Sequence, residues 1–342
     1  LSRGGAVIIR FCVLVCAVLV AFGASVVPLA LAQSGGWVVP RTSDGHPDLQ
    51  GVWANNNVTP LQRPEVLADR ETLTAEEMAS LQARASELFN GESGDAAFGD
   101  SVFSAVLAEA ETFSSRDVAT GNYNQFWMVE REWDNRTSLV VNPPNGRIPI
   151  RTERADAVLA ERASARGRHA QGPEDRSLGE RCISWGVPRL GAGYNSYTQV
   201  FQTGDHVVLY MEMGGARVIP LNGGAHVDER IRQLHGDSRG HWEGDTLVVE
   251  TANYSPTSYF MGSSDGLELI ERFTRVSEDV LQYEVTVTDP KTWSAPWSAM
   301  IPLRRSVDPV FEYACHEGNV GMEGIMAGAR ALERAEANGG GQ

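Results

Sequence analysis

Basic charge is in short supply. The chain of 342 residues carries 29 Lys and Arg against 44 Asp and Glu, a formal net charge of −15. A nucleic-acid partner needs a basic patch to neutralise its phosphates, so that class is excluded. Lysine is all but absent, Lys291 being the single copy, and arginine supplies every other permanent cation. Cysteine is scarce too, with four copies, of which Cys12 and Cys16 fall in the first 32 residues. Several motifs are missing altogether. The chain contains no Gly-x-Gly-x-x-Gly, no P-loop, no His-Glu-x-x-His and no Cys-x-x-Cys-His. Nucleotide-dependent chemistry is thereby disfavoured, and neither a cofactor nor a metal is expected. What remains is ordinary for a globular protein: 42% hydrophobic and 21% charged, which excludes collagen, coiled coil, a polytopic membrane protein and wholesale disorder.

The one long apolar run is N-terminal. Arg3 and Arg10 precede an apolar stretch from Phe11 to Ala32 that ends in Ala30-Leu31-Ala32, the small-x-small pattern of a signal-peptidase site. Residues 1–32 read as a secretory signal peptide. A retained anchor is the alternative, since the run is long enough to span; Pro28 and the small-residue exit favour cleavage. The expected location is therefore the periplasm or beyond, with no membrane insertion after cleavage. Residues 33–342 then retain only Cys182 and Cys315, and two cysteines in an oxidising compartment predict one disulfide.

From 33 onward a single β-rich domain is expected. Asp48–Trp53 reads as a short first strand. Over 74–89, Thr74 with Glu77 forms a capping box and Met78, Leu81, Ala85 and Leu88 form an apolar stripe, which predicts a surface helix. A second short helix is expected over 101–112 and a third over 152–166, with strands at 123–130 and 137–141. Residues 171–195 are rich in Gly, Pro and Arg, and a loop that long is usually functional or tied down. From 196 to 316 short strands alternate with Gly-Asp turns, an antiparallel meander. Phe201–Leu209 aligns on His241–Val249 at an offset of 40; two copies are too few for a propeller. The predicted architecture is α+β and β-rich: a curved antiparallel sheet or closed barrel with peripheral helices, and a last helix near 321–336.

The segment His235-Gly-Asp-Ser-Arg-Gly-His-Trp-Glu-Gly-Asp-Thr-Leu-Val-Val-Glu-Thr resembles the signature of a large family of uncharacterised exported bacterial proteins. The resemblance extends to Pro47–Trp53, Gly172–Cys182, Glu271–Val276, Thr288–Trp293 and Glu312–Asn319, and so covers most of the chain after the leader. It implies export and brings no chemistry with it. The early Gly-x-Trp strand followed by a meander also resembles lipocalin-type barrels, a likeness of fold alone.

Candidate functional residues fall into four groups. With Glu278-Asp279 as a two-residue loop, the hairpin 267–288 would place Glu271, Glu284, Arg275 and Thr286 on one face, and two close carboxylates suit acid–base chemistry; the bland alternative is a solvated sheet face, and one residue more or less in the loop undoes the pairing. His241 shares a strand face with Glu243, close to His235, and either histidine is a candidate proton carrier. A disulfide at Cys315 would hold His316 and Glu317 rigidly beside the 171–195 loop. The aromatics Trp293, Trp297 and Tyr254, with Arg217 and Arg275, are candidate ligand contacts; most buried tryptophans are core packing. Two functions follow: an exported binder of a small apolar or glycosidic ligand, or a cofactor-free hydrolase, lyase or isomerase working with Glu271, Glu284, His241, His316 and Glu317. Gathering of these groups around one pocket would mark an enzyme. A deep, purely apolar cavity with them scattered outside would favour a binder.

Overall fold

The computed structural model describes residues 37–90, 96–114, 131–192 and 194–339. The expected signal peptide and the expected strand at 123–130 lie outside these residues. Ten strands make one sheet: β1 (Gly51–Ala54), β2 (Val140–Asn142), β3 (Tyr197–Gln202), β4 (His206–Met211), β5 (Gly215–Pro220), β6 (Asp237–Glu243), β7 (Thr246–Ala252), β8 (Glu268–Arg275), β9 (Val280–Thr288) and β10 (Trp297–Ser306). Their order is β5-β4-β3-β1-β10-β9-β8-β7-β6, with β2 added on β10. Every ladder along that path is antiparallel. The early strand β1 thus splices two consecutive meanders, β3–β5 and β6–β10, into one sheet.

Side chains alternate across each strand, and the inward set is apolar. β9 buries Leu281, Tyr283, Val285 and Val287, and β10 buries Trp297, Ala299, Ile301 and Leu303. Trp53 fixes the start of β1 by donating its indole N–H to the Leu49 carbonyl at 2.9 Å. Helices α1 (Ala75–Leu88) and α2 (Asp100–Leu107) pack on each other outside this core, through Ala85, Phe89, Val102 and Val106. The capping box forms as the sequence implies, with Thr74 and Glu77 bonding each other's backbone N–H at 3.2 and 2.8 Å. Helix α3 (Glu153–Gly167) is capped by Thr152, and α4 (Val320–Ala337) by Asn319. Two expectations need correction. α2 stops at Leu107 rather than 112, and the meander ends at Ser306 rather than 316, leaving 310–315 irregular where the chain has left the sheet.

The parity of the sheet decides how its edges meet. Nine strands alternating in direction leave the first and the ninth, β5 and β6, pointing the same way. A parallel neighbour needs a crossover connection, and residues 221–236 supply it. β5 and β6 form no ladder with each other among the described residues, so the sheet is not closed by backbone hydrogen bonds. Side chains bring the edges together instead. A Cβ on Gly240 of β6 would lie 2.8 Å from Leu221 Cδ2 and 2.9 Å from Ile219 Cγ2. Gly240→Val is therefore expected to wedge the seam and cost about 1–3 kcal/mol, as overpacking does, measured by urea denaturation. An unchanged midpoint and slope would show that the two edges are not in contact.

Candidate functional site

A cavity of about 60 Å³ opens between the 187–191 run and the 195–198 run and reaches into the sheet interior. Its walls are apolar: Trp53, Val187, Val200, Leu209, Met211 and Phe273, with further Met, Leu and Pro side chains. A single water needs about 10–15 Å³, so the space exceeds what one water requires. A small molecule, or one end of a longer one, fits it.

The floor is polar and self-satisfied. Arg217 reaches inward from β5 and is 5% exposed; Glu271 reaches inward from β8 and is 2% exposed. The two form a two-pronged ion pair, Nη1 to Oε1 at 3.1 Å and Nη2 to Oε2. Arg217 also donates to Ser238 Oγ of β6 at 3.0 Å and to Thr251 Oγ1 of β7 at 2.6 Å. The Tyr283 hydroxyl of β9 donates to Glu271 Oε1 at 2.8 Å. Burial opposes the charge on Arg217, but Glu271 outweighs it and holds the guanidinium above its ordinary pKa. Burial pushes the Tyr283 and Tyr254 phenols up as well, so both stay neutral. One side chain therefore ties β5 across the unladdered seam to three strands on the other side. This arrangement is a fixed electrostatic floor, its guanidinium, carboxylate and phenol hydrogen-bonded to one another.

The candidates from the sequence are largely dispersed. Glu271 and Glu284 do not share a face. Phe273 pairs with Tyr283 and Arg272 with Glu284, so the register is one residue away from that of a two-residue loop. The turn keeps Val276 and Ser277 both bonded to the Val280 carbonyl, a bulged end that swaps every side chain to the other face. Glu284 accordingly stands on the outer face, opposite Arg272. His241 is also outside: its Nε2 lies 3.2 Å from Glu243 Oε1, and Glu243 Oε2 accepts from Arg272 Nη1 at 2.7 Å. His316 and Glu317 are exposed, next to the disulfide. That disulfide joins Cys182 to Cys315, Cα atoms 5.6 Å apart, as the compartment argument implies.

Of the expected ligand contacts, Arg217 alone lines the cavity. Arg275 lies over the Trp53 ring and donates to the carbonyls of Asp48 and Glu278, both at 2.9 Å, where it braces the β8–β9 turn. Trp293 and Trp297, 2% and 0% exposed, pack on each other and on Phe260 at the opposite end of the sheet. Tyr254 is buried in the same core. These aromatics fill the interior rather than offer a surface.

Two features escape the sequence reading. The cavity is also lined by Asn55, Arg189, Asn195 and Tyr197, three of them in or just after the long Gly, Pro and Arg-rich stretch. The length of that stretch was the available signal. Ser184 Oγ also lies 2.6 Å from His235 Nε2, and burial together with the charge of Arg217 lowers the His235 pKa and keeps the ring neutral. Ser184 is buried, accepts from the Gly186 N–H at 2.9 Å, and lines neither the main cavity nor the shallow groove beside Trp185. The pair reads as a structural tie between the 178–186 loop and the 235–243 segment.

No group of three or more His, Cys, Asp or Glu side chains able to hold a metal ion occurs among the described residues. No family model and no curated protein matches the chain. Among solved structures, a point mutant of the fluorescent protein UnaG is similar over 33% of this chain and 72% of its own, at 17% identity and a TM-score of 0.22.

Proposed function

We propose that this protein binds a small, largely apolar molecule inside its sheet, entering between the 187–191 and 195–198 runs. The observation that carries this reading is the cavity itself: apolar walls over a floor whose charges are already paired. The outer positions of Glu284, His241, His316 and Glu317 support binding over acid–base turnover, because groups so scattered cannot converge on one substrate. The disulfide supports work in an oxidising compartment outside the cytoplasm, and the likeness of the 235–251 block to exported proteins agrees with it. Among the described residues no helix is long and apolar enough to cross a membrane.

The test is a thermal-shift panel of short alcohols, aromatic alcohols, aromatic and aliphatic acids, and monosaccharides. A ligand that binds only the folded state raises the melting temperature, by an amount equivalent to about 2.7 kcal/mol at a hundredfold excess over Kd. Val200→Phe and Leu209→Phe fill the cavity from its wall and are expected to abolish the shift. Glu284→Gln on the outer face is expected to leave it intact. A panel without any shift, or a shift that survives both cavity-filling variants, would overturn the reading.

A further inference from the structure

Three charged side chains line the cavity. Two of them, Arg217 and Glu271, satisfy each other. The third is Arg189, and its Nη1 is buried without a hydrogen-bond partner. A buried guanidinium N–H with no acceptor carries its full desolvation cost, so the site is incomplete as it stands. Glu212 is the carboxylate whose field Arg189 feels. Asn195 Nδ2 donates to its Oε1 at 3.1 Å, while its Oε2 is equally unpartnered. The two orphans feel each other's field without bonding. Burial biases both towards their neutral forms, the carboxyl by raising its pKa and the guanidinium by lowering it.

We infer that the molecule held in this cavity is a short apolar monocarboxylate, its chain against Leu209, Met211 and Phe273 and its carboxylate on the Arg189 guanidinium. The inference rests on the cavity being a ligand site. Charge-assisted hydrogen bonds are about twice as strong as neutral ones, so a carboxylate repairs the Arg189 deficit better than an alcohol or a carbonyl. An amine is repelled. A phosphate brings more charge and more acceptors than one guanidinium serves, and the apolar walls offer it nothing. The small size of the cavity calls for a short chain, and hexanoate serves as the probe.

The experiment is an NMR titration of the disulfide-intact protein at neutral pH with hexanoate, hexanol and hexylamine. Wild type is expected to bind hexanoate at least about tenfold more tightly than hexanol, the ratio one charge-assisted bond provides, and to reject hexylamine. In Arg189→Met the acid-to-alcohol ratio is expected to fall to about one, with hexanol affinity nearly unchanged. Arg189→Gln is the second variant, should the methionine one fold poorly, and is expected to lose the ratio in the same way. Equal binding of acid and alcohol by wild type overturns the carboxylate inference and leaves the cavity reading standing. A ratio that persists in both variants removes Arg189 as the anchor. Binding of none of the three probes overturns the inference together with the cavity reading beneath it.

Discussion

Arg217→Met is expected to destabilise the protein by about 3–5 kcal/mol, the usual cost of stranding one member of a buried ion pair. The size follows from what the guanidinium does. It donates to Ser238, Thr251 and Glu271, on three strands that β5 does not otherwise ladder with. Without it, the Glu271 carboxylate is left in an apolar interior with only the Tyr283 hydroxyl, and the seam loses its crosslink. A control separates these two losses. The triple variant Arg217→Met/Glu271→Leu/Tyr283→Phe removes every group the single change strands, and Ser238 and Thr251 still bond each other at 3.0 Å. Replacement of a whole buried ionic cluster by well-packed apolar side chains is commonly neutral or better. The triple variant is therefore expected to recover to within about 1 kcal/mol of wild type in urea denaturation. A triple variant as unstable as the single one would show that the crosslink matters more than the charge balance. A harmless single variant would remove the pair as the closure of the sheet.

That pair also marks where sequence reasoning runs out. The helix over 75–88 was legible because its signals are local: the Thr74 and Glu77 box and a 3.6-residue apolar stripe. The strands from 197 onward were legible by alternation and Gly-Asp turns. Register was not. The β8–β9 turn has one residue more than a tight two-residue loop, and nothing local in Ser277-Glu278-Asp279 announces the bulge. Because the inward face of β8 carries Glu271 and Arg275 beside Leu269 and Phe273, it looks half polar when read alone. Its polarity makes sense only with Arg217, which lies 54 residues earlier and across an unladdered seam. Arg189 is harder still. Arginine is the default cation of this chain, so composition cannot single out one whose Nη1 lacks a partner. The disulfide needed only a count and a compartment.

Loss of that disulfide is the second large effect. Cys182→Ser/Cys315→Ser is expected to cost about 2–4 kcal/mol. The bridge spans 133 positions and encloses every strand from β3 to β10, so it restricts most of the unfolded chain; the loop-entropy model puts the ceiling for such a length near 5 kcal/mol. Part of that is offset in the folded state. Cys182 at φ 56° and Ala314 at φ 46° are held in the left-handed region, at a cost on the order of 1–3 kcal/mol each. The bridge also has a local consequence. Beyond Ser306 the chain leaves the sheet, and α4 buries one hydrophobic side chain, Ala329. Without the bond, α4 is held by Arg330 on the carbonyls of Ala170 and Gln171 and by Asn319 on the Glu180 carbonyl. These are exposed or half-exposed hydrogen bonds, which open at little cost. Limited proteolysis of the double-serine protein is therefore expected to cut first within 307–319, while the sheet still unfolds cooperatively at a lower urea midpoint. The wild-type protein should resist cutting there until it is reduced. Early cutting with no fall in the midpoint would confine the role of the bond to docking α4. A lowered midpoint with no early cutting would assign it wholly to the unfolded chain.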